Sequence, residues 1–135
     1  MSMFLAAAAV LATQAPAPPL NVEIPELANV APDPTCGGRA EMARLAFCLM
    51  TTQAAAETVV TAFTTAFQTQ GWIAAGGGNN LVVYVKRKPE GGCDAFQMVA
   101  FTDEQRLPAP GAPAYLGLAS IPGDICHARD AATPQ

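Results

Sequence analysis

Residues 71–102, with the sequence GWIAAGGGNNLVVYVKRKPEGGCDAFQMVAFT, decide the predicted fold. Apolar side chains recur at every second position along much of this stretch, and a period of two is typical of β-strands. Gly76–Asn80 and Pro89–Gly92 carry the residue types that form tight turns, so the strands on either side of each turn pair as antiparallel hairpins. A loop containing Pro and Gly leads to one further strand. The sequence therefore predicts a four-stranded meander, with strands at 72–75, 81–88, 93–102 and 114–121.

A helix is predicted before this meander, from Gly38 to Gln70. Apolar side chains recur there at steps of three and four, which is the period of one helix face. The segment Met50–Gln53 is weak for a continuous helix, so a break is allowed there, and Gly71 is a suitable terminator. The predicted fold class is α+β: an N-terminal helix, continuous or broken, packed on one face of a four-stranded antiparallel β-meander. The apolar helix positions are Met42, Leu45, Leu49, Thr52, Ala56, Val59, Phe63 and Phe67.

The 135 residues are enough for one domain, and the N-terminal segment predicts export. An apolar run from Met3 to Ala12 is shorter than the roughly 20 residues that span a bilayer. Thr13 and Ala15, or Val10 and Ala12, supply the small residues that signal peptidase requires. The run is not preceded by Lys or Arg, and a buried hydrophobic helix is the alternative. The predicted division is 1–15 signal peptide, 16–35 Pro-rich extended linker, 36–127 single α+β domain and 128–135 flexible tail.

The four cysteines predict two disulfides. An even number of widely spaced cysteines in a short exported chain is typical of a disulfide framework, and the chain contains no C-x-x-C pair. In the meander, the start of the third strand lies beside the end of the fourth, which brings Cys93 near Cys126. Cys36 and Cys48 then pair by elimination, although a straight helix between them would hold them about 15 Å apart. Four free thiols are the alternative if the chain is not exported.

Composition excludes some classes of partner. A net charge of −4 with 13% charged residues does not suggest nucleic-acid binding, and no membrane span is expected after signal cleavage. Gly76–Gly78 lacks the Lys and the Ser or Thr of a phosphate-binding loop, and no cofactor is predicted. The abundance of Ala is typical of a high-GC bacterium. A periplasmic or secreted protein is therefore predicted.

No catalytic or metal site is predicted. His127 could pair with Asp124 or Asp130, but no Ser stands in a nucleophile context. Asp103 and Glu104 are adjacent in a turn, so they project in different directions and do not flank a shared substrate. The reactive residue types therefore do not form a recognisable constellation.

One cluster of charge is a candidate binding site. Lys86, Arg87 and Lys88 follow each other at the end of the second strand and can grip an anionic group, with Tyr84 and Trp72 completing the surface. The alternative is that these cations protect an edge strand against sheet-to-sheet aggregation.

The second face of the sheet is expected to need a cover, because a single helix hides only one face. The linker, a second copy in a homodimer, a ligand or an envelope protein partner are the alternatives for this cover.

The predicted function is that of a non-catalytic binding or interaction module. A secreted enzyme with an unrecognised site, or an inhibitor that inserts loop 89–92 or 104–112 into a hydrolase, are the alternatives. The residues assigned to the uncovered face are Tyr84, Val99, Phe101, Tyr115 and Ile121.

Overall fold

The structure is a computed structural model that describes residues 20–126. Six strands form one antiparallel sheet in the order β1-β2-β6-β5-β4-β3, and two helices interrupt the strands along the chain. The sheet is therefore a meander from β3 to β6 that β2 and β1 extend beyond β6. The elements are β1 (Ala31–Pro32), α1 (Ala40–Leu45), β2 (Phe47–Thr52), α2 (Ala56–Thr69), β3 (Ile73–Gly78), β4 (Leu81–Arg87), β5 (Cys93–Phe101) and β6 (Pro113–Ile121).

The predicted fold, one N-terminal helix on a four-stranded meander, is wrong. Residues 47–52 form a strand in place of the middle of that helix, and all six pair with β6. The apolar spacing at Leu45, Leu49 and Thr52 fits a helix, but residues 47–52 also fit a strand with Leu49 facing the core. Where both periods are satisfied, pairing with a neighbouring strand decides the outcome. The β-branched pair Thr51 and Thr52 favours the extended form.

The helix α2 covers one face of the sheet. Val59, Phe63 and Phe67 are four residues apart, so they form one apolar stripe along the 14-residue helix, and all three are buried. This stripe packs on the side chains of even-numbered residues in β4, β5 and β6, which share one face because alternate side chains of a strand point the same way. The core consists of Leu49, Val59, Phe63, Phe67, Trp72, Tyr84, Phe96, Met98, Leu116 and Leu118.

Residues 20–30 lie against the same core without forming a helix or a strand. The side-chain amide of Gln70, at the end of α2, binds the backbone of Glu23 twice. Its Oε1 accepts from the Glu23 N–H at 2.8 Å, and its Nε2 donates to the Glu23 carbonyl at 2.7 Å. This segment therefore covers the helix side of the sheet. Its packed side chains are Leu20, Val22, Ile24, Leu27 and Val30.

A second covering segment, residues 33–46, lies on one end of the opposite face. A Cβ on Gly117 of β6 would lie 3.2 Å from the Met42 sulfur and 3.7 Å from the Ala46 Cβ, so α1 sits directly on the sheet there. The segment begins with Asp33, whose carboxylate accepts hydrogen bonds from the Thr35 hydroxyl at 2.7 Å and from the Gly37 N–H at 2.8 Å. These bonds, the Thr35 hydroxyl first, hold the pKa of Asp33 below its ordinary value.

Both predicted disulfides are confirmed. Cys36 bonds to Cys48 with a Cα–Cα distance of 5.2 Å, and Cys93 bonds to Cys126 with a Cα–Cα distance of 5.6 Å. The conflict between the first pair and a long helix disappears because α1 has only six residues and the chain reverses after it into β2. The second bond ties the start of β5 to the chain that follows β6, as the meander predicts.

Replacing Gly77 by Ala is expected to destabilise the β3–β4 hairpin. Gly77 has a φ of +150°, and a Cβ there would overlap the Leu81 carbonyl and lie 3.1 Å from the Val82 Cα. We expect the free energy of unfolding to fall by about 1–3 kcal/mol in urea titrations, because the backbone must shift. Gly78→Ala is the matched control, since a Cβ at Gly78 meets nothing within 4 Å. Equal losses in both variants would contradict this account of the hairpin.

Candidate functional site

The predicted anion-binding set is divided by the structure. Trp72 is 2% exposed and Tyr84 is fully buried, so both aromatic side chains belong to the core beneath α2. Lys86 and Arg87 are exposed, and Lys88 is half-buried. The Lys86 ammonium lies 5.9 Å from the centre of the Trp72 ring, within the range of a cation–π contact. Anion binding by these three cations stays a prediction, and any such surface lacks Tyr84.

Tyr84 gives the core a pH dependence. Burial raises the pKa of its hydroxyl above the ordinary value of 10.0, and a hydrogen bond of 2.7 Å shared with the Thr64 hydroxyl lowers it by less. The folded protein therefore keeps the Tyr84 proton to a higher pH than the unfolded chain does. Its contribution to stability is complete below the unfolded pKa and is lost as the pH rises through the folded pKa.

Replacing Tyr84 by Phe is expected to make the stability less sensitive to alkali. The variant has no buried hydroxyl to ionise, so its free energy of unfolding should fall less steeply between pH 9 and pH 11 than that of the natural protein. Urea unfolding at a series of pH values measures both slopes, with Tyr115→Phe as the control for a half-buried tyrosine. Parallel slopes in the natural protein and Tyr84→Phe would contradict the role of Tyr84.

The acidic residues considered for catalysis are engaged in local structure. The carboxylate of Asp124 accepts a hydrogen bond of 3.0 Å from the Cys93 backbone N–H, and that of Asp103 accepts one of 2.9 Å from the Gln105 N–H. Cys93, Asp124 and Cys126 have metal-ligand atoms within 4.8 Å of one another. The two sulfurs are bonded to each other, so neither is a thiolate that could bind a metal. His127 lies outside the described residues.

An open cleft that the sequence did not reveal lies at one end of the sheet. Two adjoining cavities of about 510 and 210 Å³ share four lining residues: Arg39, Phe101, Thr102 and Glu104. The Arg39 guanidinium lies 4.6 Å from the centre of the Phe101 ring, which stacks on Tyr115 with the ring centres 5.3 Å apart. Arg39 also donates to the Thr102 carbonyl at 3.4 Å. Its cation is therefore already partnered by protein groups.

The second sheet face differs from the predicted one. Tyr84 pairs with Phe96, and both point toward α2, so Tyr84 does not belong to the uncovered face. The opposite face carries the odd-numbered residues of β4 and β5, and Ile73 joins them because it pairs with Val85. Ile73 is 61% exposed, and its neighbours are half-buried. Of the five residues predicted for this face, Tyr84 is therefore the misplaced one, and the other four lie on it. The larger apolar side chains of this second face are Ile73, Leu81, Val83, Val85, Val99, Phe101, Tyr115 and Ile121.

The two outer strands of the sheet differ in how they are protected. β1 has only two residues, and one of them is Pro32, which has no N–H to offer. β3 has six residues, IAAGGG, all exposed and without a charge or a proline. Lys86 and Arg87 lie on β4, one strand inside this edge, so they do not guard the edge strand in the way that the sequence suggested. β3 is thus an open edge, bordered on one face by Ile73.

Neither described helix is both long and apolar enough to cross a membrane. The Arg39 cleft, the basic cluster and the β3 edge are three surface features of residues 20–126 that could bind a partner. Of these, only the β3 edge offers a run of backbone groups that an adjacent strand can pair with. Comparison of the chain with protein-family models, with curated proteins and with solved structures finds no match.

Proposed function

We propose that this protein is an exported, non-catalytic module that binds another polypeptide at the β3 edge. The observation that carries the proposal is the exposure of all six residues of β3, which bear no charge and no proline. Edge strands of this kind accept an added strand through backbone hydrogen bonds, and side chains beside the edge supply specificity. Ile73, exposed on the second face, is the side chain best placed to contact the partner.

The distribution of reactive side chains supports a binding role. Asp124 and Asp103 accept hydrogen bonds from nearby backbone, and the Tyr84 hydroxyl is paired with Thr64 in the core. General acid–base catalysis requires an acid or base within hydrogen-bond reach of the reacting group. Groups already committed to turns and to the core are poorly placed for this task.

Export is supported by the two disulfides and by the apolar run of the first fifteen residues. Disulfides persist in oxidising compartments, so a periplasmic or secreted location fits them. Intact-protein mass spectrometry of the material recovered from its host tests this part. We expect a chain that begins at Thr13 or Pro16 and is four hydrogen masses lighter than the reduced form. A full-length chain with four titratable thiols would refute export.

Site-specific photo-crosslinking tests the binding edge. A benzoylphenylalanine replaces either Ile73, which is 61% exposed at the start of β3, or Leu107, which is 88% exposed on the loop between β5 and β6. In illuminated host cells we expect a covalent adduct with a polypeptide at position 73 and none at position 107. The absence of an adduct at 73, or equal adducts at both positions, would overturn the proposed edge.

An inhibitor of a hydrolase is the second candidate, because one observation favours it. Leu107 projects from the loop between β5 and β6, and the base of that loop is fixed by Gln53. The Gln53 side chain accepts from the Ala109 N–H at 3.1 Å, and its backbone N–H donates to the Ala112 carbonyl at 2.8 Å. A fixed loop with an exposed apolar residue suits insertion into a partner's cleft. An adduct at position 107 alone would favour this function over binding at β3.

A further inference from the structure

We propose that the strand bound by β3 is the β3 strand of a second copy, paired antiparallel about a two-fold axis. This inference rests on the proposed role of β3 as a binding edge and names its partner. Two-fold pairs are self-complementary, so the same surface must fit itself. The small side chains of β3, the positions of the nearby cations and the apolar second face all meet this requirement.

The side chains of β3 fit their own copies without a clash. With full overlap, Ile73 of one molecule faces Gly78 of the other, and Ala75 faces Gly76. The one large side chain is therefore opposite a glycine in each half of the pair. The pairing with β4 shifts register between Ala74 and Gly76, close to the two-fold axis, so both strands carry the same irregularity at the same place.

The charges near β3 favour the antiparallel arrangement. β3 itself has no charged side chain, and the nearest cations are Lys86 and Arg87, which follow Val85, the partner of Ile73. In an antiparallel pair these cations lie at opposite ends of a strand that is about 20 Å long. That separation is about twice the Debye length of 8–10 Å at physiological salt, so their repulsion is screened. A parallel pair would bring the two basic clusters side by side.

The apolar second face continues across the pair. Each Ile73 lies at the rim of a face that includes Val83 and Val85, so pairing joins the faces of the two molecules and covers part of both Ile73 side chains. A single pair of six-residue strands buries less than the roughly 1,200 Å² of a stable interface. A weak, concentration-dependent dimer with a micromolar dissociation constant is therefore expected.

Sedimentation velocity of the oxidised protein purified from its host tests the proposal. The natural protein should shift from monomer to dimer as its concentration rises from micromolar to millimolar. Ala75→Lys places two ammonium groups beside the axis, and Ala75→Glu places two carboxylates there. Because Ala75 is exposed, both variants should fold, and each should raise the dimer dissociation constant at least about tenfold. Leu107→Lys adds the same charge on the loop between β5 and β6, which are two and three strands from β3 in the sheet, and should leave dimerisation unchanged.

Mixing the two Ala75 variants gives the most specific result. A lysine from one molecule and a glutamate from the other are then neighbours across the axis, so the mixture should recover dimers that neither variant forms alone. Dimers of Ala75→Lys as strong as those of the natural protein would overturn the proposal. The proposal would also be overturned if the natural protein stayed monomeric over the whole concentration range.

Hydrogen exchange of the natural protein provides a test that uses no variant. The amides of β3 should become protected as the concentration rises, while those of the loop around Leu107 should not. Dimers in which the β3 amides stay unprotected would place the interface elsewhere and refute the pairing. If the purified protein is monomeric but position 73 crosslinks to a different polypeptide, the self-pairing fails and the proposed binding edge stands.

Discussion

Replacing Phe67 by Ala is expected to lower the free energy of unfolding by about 3–5 kcal/mol. Phe67 is fully buried, and its ring meets those of Tyr84 and Phe96 edge-to-face with 5.1 Å between ring centres in each case. It also stacks on Phe63 at 5.9 Å. The change removes a side chain that joins α2 to both β4 and β5. A packed aromatic cluster cannot collapse fully into the space, so a cavity cost is added to the lost burial.

Urea unfolding followed by tryptophan fluorescence measures this loss, since Trp72 lies in the same core. Phe47→Ala is the matched control, because it deletes the same atoms from a side chain that is 41% exposed. We expect it to cost about 1 kcal/mol or less. Because small domains have a total stability of about 5–15 kcal/mol, Phe67→Ala should also lower the melting temperature markedly. Equal losses for Phe67 and Phe47 would contradict the packing of α2 on the sheet.

Replacing Cys93 and Cys126 together by Ala is expected to cost about 3–4 kcal/mol. Their bond closes a loop of 33 residues, whereas the bond between Cys36 and Cys48 closes one of 12. In the chain-entropy model a longer loop restricts the unfolded chain more, and the double replacement of Cys36 and Cys48 should cost about 3 kcal/mol. The chain after β6 is also released, and with it the bond from Asp124 to the start of β5.

Calorimetry or denaturant unfolding of the two double variants distinguishes these costs. We expect both to unfold more easily than the natural protein, with the 93–126 variant the less stable of the two. Hydrogen exchange should show the difference locally, at the amides of residues 93–95 and 119–121, where β5 and β6 begin and end their pairing. A larger loss from the 36–48 variant would contradict the dominance of loop length.

Much of the meander was predictable because its strands carry local signals. Pro89–Gly92 and the two asparagines of Asn79–Asn80 mark the turns, and the alternation in β4 and β5 marks the strands between them. The pairing of Cys93 with Cys126 followed from that order alone. The turns and strands depend on neighbours in the sequence, which is why no other part of the molecule was needed to infer them.

The errors concern features that depend on distant segments. The sequence of residues 47–52 fits a helix or a strand equally well, and the strand is favoured because all six residues pair with β6. Tyr84 was assigned to the wrong face because the predicted face combined it with residues of β5 and β6 whose register was unknown. The stacked group of Arg39, Phe101 and Tyr115 joins three separate elements, so no spacing reveals it.

The candidate edge was also hidden in the sequence, because a strand is exposed or covered according to the order of the sheet. One signal was visible: from Trp72 to Asn80 the chain has no charged residue. This segment lies at the boundary of the sheet, where natural strands are commonly protected by charges. The lack of charge had no meaning until β3 was placed there.

The unequal outer strands also limit how large an assembly can become. Within residues 20–126, β1 is two residues long and contains Pro32, so β3 is the one outer strand of the sheet that another strand can extend along its length. The pairing proposed above would occupy β3 in both molecules, so growth of the sheet would stop at two copies. Fibrils need two complementary ends on every unit. In the proposed pair, the described residues therefore offer no second long outer strand through which the sheet could grow into a fibril.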